Sequence, residues 1–158
     1  GRALLRGGGT ALVTGRGEAV QALSPLPGCA VVVCMPHFTC STPELFERID
    51  SRASACRPDT AGLLAALEAG DLRGVARRMY NVFEDALERR GARAVAEIKG
   101  ALLDNGALGA VMSGSGSAVF GLFASDEAAA RAACGAKPLC RDVFLTRAEP
   151  AYENLGSG

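Results

Sequence analysis

This sequence of 158 residues has no tryptophan, few other aromatic side chains and one histidine, His37. A single histidine excludes metal sites and mechanisms that need two. No apolar run approaches the ~18 residues of a membrane span, and the first residues lack a signal-peptide pattern. The charges show no excess, because 17 basic side chains balance 17 acidic ones. A general nucleic-acid binder would show a basic excess. We therefore expect a cytoplasmic protein with neither a nucleic-acid nor a membrane partner.

The six cysteines do not form the pattern of a disulfide or zinc framework. They lie at Cys29, Cys34, Cys40, Cys56, Cys134 and Cys140. No two of them make a C-x-x-C pair, and the large apolar fraction needs no covalent crosslink, so we predict free thiols and no metal. The alternative is a zinc site at Cys34, His37 and Cys40, for which Cys29 or Cys56 would have to supply the fourth ligand.

Apolar runs separated by turn residues predict a short hairpin followed by a buried strand. TALVT at residues 10–14 and residues 18–23 flank a glycine turn, and AVVVCM at residues 30–35 ends at Pro36. Further strands are predicted at residues 110–112, 118–123 and 142–147.

Helices are predicted between these strands from capping residues and apolar spacing. One begins near Thr42, a second is capped by Asp59, and a third begins at Asp71. The third is predicted to be long, because its apolar side chains recur every three or four residues from Leu72 to Leu87 before Gly91 ends it. Another helix ends near residue 105, and Asp126 is predicted to cap an alanine-rich helix that continues to Gly135. This order indicates an α+β fold, with an antiparallel sheet of about four strands and helices packed on one face.

The most informative segment is GAVMSGSGSAVFGLF, residues 109–123. Its centre consists of Ser113, Gly114, Ser115, Gly116 and Ser117. Glycines allow successive N–H groups to converge on one anion, and the hydroxyls add donors, so a phosphate loop is one interpretation. A tight connection between two strands explains the composition equally well. No lysine follows as in a Walker loop, and a strand follows instead of the helix of a dinucleotide fingerprint.

This segment resembles the third conserved motif of the GHMP kinases. GGTALVTGRGE at residues 8–18, STPELF at 41–46 and MYNVFE at 79–84 narrow the resemblance to the family of 4-diphosphocytidyl-2-C-methyl-D-erythritol kinases. The resemblance implies a ferredoxin-like carboxy-terminal domain whose glycine loop faces the cleft between phosphates and acceptor hydroxyl. It also implies an ATP-dependent enzyme of non-mevalonate isoprenoid biosynthesis, with ATP and Mg²⁺ held mainly by an amino-terminal domain that this sequence lacks.

The resemblance divides the sequence into three parts. Residues 1–24 are expected to be the remnant of the ATP-binding domain or interdomain strands, residues 25–150 the carboxy-terminal domain, and residues 151–158 a disordered tail. No catalytic residue is expected in this chain, which begins with Gly1 and looks like part of a longer protein. Leu5 stands where the family commonly has a phenylalanine, so we expect it to give the substrate's base apolar contact without a π-face.

Two other functions fit the same features. One is a different GHMP kinase, of the homoserine or phosphomevalonate type. The other is a non-catalytic module that binds a metabolite through the same fold.

Overall fold

The computed structural model describes residues 9–14, 17–51 and 57–149. Its strands are β1 (Thr10–Thr14), β2 (Ala19–Leu23), β3 (Cys29–Met35), β4 (Gly109–Met112), β5 (Val119–Phe123) and β6 (Asp142–Ala148). Its α-helices are α1 (Thr42–Ser51), α2 (Thr60–Glu68), α3 (Leu72–Arg77), α4 (Val82–Asp85), α5 (Arg89–Asp104) and α6 (Asp126–Ala136). Within these ranges, no helix combines the length and apolar character of a membrane span.

Four strands form one antiparallel sheet in the order β4-β5-β3-β6. In its centre, Val32 of β3 lies opposite Gly121 of β5 on one side and Leu145 of β6 on the other. β4 and β5 are consecutive and form a hairpin, with Met112 opposite Val119. This strand order belongs to the split β-α-β pattern of ferredoxin-like folds. Along the chain, the pattern consists of β3, helices, the β4–β5 hairpin, a helix and β6. The α+β prediction with a four-stranded antiparallel sheet is therefore confirmed.

The main core lies between the sheet and the two longest helices, α5 and α6. From the sheet, Val32, Cys34, Val119 and Phe123 are fully enclosed. The helices contribute small and branched side chains: Val95, Ile98, Leu102, Ala128, Ala129, Ala132 and Ala136. Alanines along α6 let its backbone approach the sheet closely, as native packing density requires. On the opposite face, Ala76 of α3 packs against Cys29 and Leu122 in a smaller cluster.

β1 and β2 form a separate two-stranded sheet. The hairpin is held through its carboxyl end, where Leu23 and Leu26 pack against the buried side chains of α2 and α3. The hydroxyl of Thr10 accepts the N–H of Leu26 at 3.1 Å. Val13 and Val20 on the hairpin are 37% and 47% exposed, so this small sheet has an uncovered apolar surface within the described residues.

The long helix predicted from Asp71 to Leu87 is wrong. The chain forms two short helices, α3 and α4, with a non-helical turn from Arg78 to Asn81 between them. The apolar spacing continues across this break, because Met79 and Phe83 both still pack against the core clusters. The side chain of Asn81 caps α4 by accepting the N–H of Phe83 at 3.0 Å. Its tertiary hydrogen bonds, described below, favour the turn over a continuous helix.

Two smaller differences concern helix boundaries. Gly91, predicted to end a helix, lies in the first turn of α5, where the ring of Phe38 packs so closely that a Cβ would sit 3.2 Å from it. Ser125, rather than the predicted Asp126, caps α6 by accepting the N–H of Ala128. Capping by Asp59 and Asp71 is confirmed, since each carboxylate accepts a first-turn N–H at 3.0 Å.

Candidate functional site

The segment between β4 and β5 is a compact turn closed by its own backbone. The N–H of Ser113 donates to Ala118 O at 2.7 Å, and the N–H of Gly116 donates to Ser113 O at 3.2 Å. Gly114 has φ 55° and Gly116 has φ 114°. Other residues rarely adopt such values, so the turn depends on glycine at both positions.

The tip of the turn is accessible. Ser113, Gly114 and Gly116 are exposed, while Ser115 and Ser117 are partly buried. A Cβ added at Gly114 would meet no described atom within 4 Å. The five residues predicted as a phosphate loop therefore lie together in one turn whose tip is exposed.

The side chain of Asn81 anchors this turn to the start of α4. Its Nδ2 donates to Met112 O and to Gly114 O, each at 2.7 Å. Both amide protons are thereby used on the turn, while Oδ1 caps the helix.

Glu84, one helical turn further on, holds the end of β4. Its Oε2 accepts the N–H of Met112 at 3.3 Å, and its Oε1 receives Lys99 Nζ at 2.9 Å. The Glu84 and Lys99 side chains are only 16% and 31% exposed, so the pair is weakly screened by solvent. Asn81 and Glu84 thus tie α4 to both the strand and the turn.

The opposite side of the turn contacts the segment that leads into α1. Thr42 Oγ1 lies 3.1 Å from Ser115 Oγ, at hydrogen-bonding distance. The Cys40 side chain covers Gly116, where a Cβ would come within 2.8 Å of Cys40 Sγ. Residues more than seventy positions apart in sequence therefore meet at the turn.

Two grooves lie near the turn; the first is lined in part by turn residues, and the second is lined by Cys40, which lies against Gly116. One has a volume of about 370 Å³ and is lined by Ser113, Gly114, Asn81 and apolar side chains that include Met79 and Phe120. The other, of about 550 Å³, runs along the β3–α1 connection. Its polar lining includes His37, Cys40 and the Arg48–Glu88 ion pair of 2.6 Å.

The described cysteines are free thiols: Cys29, Cys34, Cys40, Cys134 and Cys140. Burial raises the pKa of Cys34 to about 12, and the neighbouring Cys140 adds to the effect. Burial also raises the pKa of the Cys40 thiol. Neutral thiols are poor metal ligands. Within the part of the chain that the structure describes, no three His, Cys, Asp or Glu side chains gather as a metal site would need. Cys56, invoked in the zinc alternative, lies outside that part.

The sequence identified the turn but not the side chains that hold it. Asn81, Glu84 and Thr42 were not predicted as site residues, although the first two belong to the MYNVFE segment that carried the resemblance. An asparagine interrupting a helical apolar pattern was the available signal. Leu5, predicted to contact a substrate, lies outside the described residues, as does the predicted tail at residues 151–158.

Comparison with known proteins relates the chain to a group of kinases. Residues 63–137 match the family described as GHMP kinases C terminal. A 4-diphosphocytidyl-2-C-methyl-D-erythritol kinase of Listeria monocytogenes serotype 4a is 37% identical over 147 residues, 93% of this chain and 50% of the relative. The enzyme of the same name from Clostridium novyi is 39% identical over 140 residues, 89% of this chain and 50% of the relative.

A solved structure gives the same relationship. The crystal structure of a 4-(cytidine 5'-diphospho)-2C-methyl-D-erythritol kinase superposes with a TM-score of 0.69 at 28% identity, covering 87% of this chain and 48% of that one. The chain therefore spans about half the length of the curated relatives that it matches.

Proposed function

Since residues 63–137 match the family described as GHMP kinases C terminal, we propose that the chain is the carboxy-terminal part of an ATP-dependent kinase of non-mevalonate isoprenoid biosynthesis. Its substrate is the alcohol 4-diphosphocytidyl-2-C-methyl-D-erythritol, of which it phosphorylates one hydroxyl. The similarity over 147 residues to a kinase of that name carries the proposal. The free thiols of the described residues support a cytoplasmic location.

The turn between β4 and β5 contributes donors to the phosphate end of the site. Phosphoryl transfer depends mainly on positioning and on stabilisation of charge by fixed donors. Ser113 to Ser117 contain three hydroxyls, no carboxylate, and backbone N–H groups of which those of Ser113 and Gly116 are used within the turn, so the turn suits a phosphate and not a cation. The accessible tip and the groove that it helps to line support this role.

ATP and Mg²⁺ are held mainly by the amino-terminal half of the enzyme. ATP supplies the phosphoryl group, and Mg²⁺ neutralises its charge. The donor set of the turn fits the phosphate part of this cofactor. A metal ion needs oxygen ligands such as carboxylates, and the described residues bring no three acidic, histidine or cysteine side chains together.

The domain arrangement follows the same proposal. Residues 1–24 belong to the amino-terminal domain or to the strands that link the domains, and residues 25–150 form the domain that carries the turn. The uncovered valines of the β1–β2 hairpin support an origin in a larger sheet. Leu5 then gives apolar contact to the substrate's base.

The proposal is tested by measuring ADP release from the chain joined to its amino-terminal half. We expect release to depend on 4-diphosphocytidyl-2-C-methyl-D-erythritol, with homoserine and phosphomevalonate giving none. Release with either of those substrates instead would identify a different GHMP kinase. Binding of the cytidine substrate without ADP release would indicate a non-catalytic module.

The chain of 158 residues on its own is expected to be inactive. The part that holds ATP and the base that activates the hydroxyl come from the amino-terminal half. ADP release is measured with the purified chain and with the joined enzyme at equal concentration. Turnover by the chain alone at a rate comparable with the joined enzyme would contradict the division of roles.

A further inference from the structure

The side chain of Asn81 is oriented without ambiguity by its three hydrogen bonds. Nδ2 faces two carbonyl oxygens, Met112 O and Gly114 O, at 2.7 Å each. Oδ1 faces the N–H of Phe83 at 3.0 Å. Exchanging the amide oxygen and nitrogen would place an acceptor against two acceptors, so the network determines the assignment.

These bonds fix the direction of the peptide group between Gly114 and Ser115. In a trans peptide the C=O and N–H bonds point in opposite directions. Because Gly114 O points at Asn81, the N–H of Ser115 points away from Asn81. Ser113 O is likewise turned inward, since it accepts the N–H of Gly116. The carbonyl oxygens of residues 112, 113 and 114 are thus all occupied by donors of the protein.

The backbone alone does not determine this direction. Glycine tolerates φ values on both sides of zero, so a peptide group next to Gly114 can turn over at little steric cost. In the reversed direction, Gly114 O would face the ligand side of the turn and the N–H of Ser115 would face inward. A carbonyl oxygen repels a phosphate, whereas an N–H group binds it.

We propose that Asn81 is a positioning residue, which holds the Gly114–Ser115 peptide so that the N–H of Ser115 faces the phosphate of the bound ligand. This inference rests on the proposed function of the turn. Glu84 supports it from the strand side by holding the N–H of Met112. In this role Asn81 acts on the ligand through the Gly114–Ser115 peptide group. It removes the carbonyl oxygen from the ligand side.

The variant Asn81→Ser separates the two roles of the side chain in the joined enzyme. Serine is a good helix cap and adds no charge, so it retains an acceptor for Phe83 while losing both donors to the turn. Asn105→Ser is the matched control, because Asn105 Nδ2 also donates to a backbone carbonyl, Ala101 O at 2.8 Å, at the end of α5. We expect Asn81→Ser to lower kcat/KM roughly 100-fold, as when a group at the reacting centre is misplaced by about 1 Å, and Asn105→Ser to leave it within about twofold.

The amide proton resonance of Ser115 gives a readout that a capping role would not change. The probes are a non-hydrolysable ATP analogue and 4-diphosphocytidyl-2-C-methyl-D-erythritol, added together to labelled enzyme. In the wild type and in Asn105→Ser, this resonance should move downfield as the amide binds phosphate. In Asn81→Ser, the shift should be lost. If Asn81→Ser does not fold, Asn81→Asp retains the shape and the cap. The resonance then decides, because the added charge itself alters kinetics.

The outcomes distinguish this inference from the function on which it rests. A folded Asn81→Ser enzyme with wild-type kcat/KM and a normal Ser115 shift would overturn the positioning role. So would a loss of thermal stability alone, which would leave Asn81 as a helix cap. Normal turnover by a folded Gly114→Ala, Gly116→Ala double variant would overturn the phosphate contact of the turn. An inactive double variant beside a normal Asn81→Ser would overturn only the role of Asn81.

Discussion

Substituting the glycines of the turn separates contact with a ligand from stability of the fold. Gly114→Ala places a methyl group in open space, so its intramolecular cost is the left-handed backbone alone, about 1–2 kcal/mol. Gly116→Ala adds a contact of 2.8 Å to Cys40 Sγ, and its φ of 114° lies outside the left-handed helical region. Gly121→Ala, inside β5, would approach Leu102 Cδ1 and Phe123 Cε2 at 3.3 Å. Such overpacking typically costs about 1–3 kcal/mol.

The three variants are therefore expected to separate loss of stability from loss of turnover. Gly114→Ala should lower the melting temperature by only a few degrees, at about 2–4 °C per kcal/mol. Under the proposed function, this methyl group obstructs the phosphate at the turn, so kcat/KM should fall roughly 100- to 1000-fold, as for loss of one oriented donor. Gly121→Ala should lower the melting temperature similarly or more, with kcat/KM of the folded enzyme unchanged. Gly116→Ala should lower both.

Melting temperature and kcat/KM are measured on the same preparations of the joined enzyme. Gly121→Ala is the matched control, because it adds the same methyl group to the same hairpin without facing the ligand side. The reasoning is refuted if folded Gly114→Ala keeps kcat/KM within about twofold of the wild type. It is refuted equally if Gly121→Ala impairs turnover as much as Gly114→Ala does.

Three further predictions concern the surroundings of the turn. In thiol labelling at about pH 8, the exposed Cys134 should react first among the described cysteines and Cys34 last, because burial raises the pKa of Cys34 to about 12. All six thiols should react in denaturant. Rapid labelling of Cys34 in the folded chain would contradict this burial. Glu84→Gln should lower the melting temperature, since it leaves Lys99 without its carboxylate partner, and a wild-type value would show that the pair contributes nothing. Thr42→Val should lower kcat/KM by less than about tenfold, since one hydroxyl contact is typically worth about 1 kcal/mol, and a larger loss would indicate that Thr42 itself touches the ligand.

The hairpin that carries the turn could be predicted because its signals are local. Two short β-prone runs flank a segment of alternating serine and glycine, and the turn has its positive φ values at Gly114 and Gly116. The caps Asp59 and Asp71 were equally predictable, because a carboxylate three residues before the N–H that it satisfies is a short-range feature. Each of these elements has its sequence signal within a few neighbouring residues.

The side chains that surround the turn could not be predicted in the same way. Thr42 and Ser115 are 73 residues apart, and the anchoring bonds of Asn81 span 31 and 33 residues. Nothing in the sequence near either partner specifies such a contact. The resemblance named the MYNVFE segment without saying what it does, and the structure shows Asn81 and Glu84 of that segment bonded to the hairpin.

The break between α3 and α4 shows why the apolar period misled the helix prediction at this position. A continuous helix through residues 78–82 would satisfy more backbone hydrogen bonds locally and keep the same apolar face. The chain instead forms a turn there. In this turn the Asn81 side chain caps α4 and donates two hydrogen bonds to the hairpin. Places where tertiary bonds override a consistent local pattern are characteristic of functional sites. The departure from helical structure at Asn81 therefore supports, as its contacts do, our proposal that the turn between β4 and β5 is held in one orientation for a ligand.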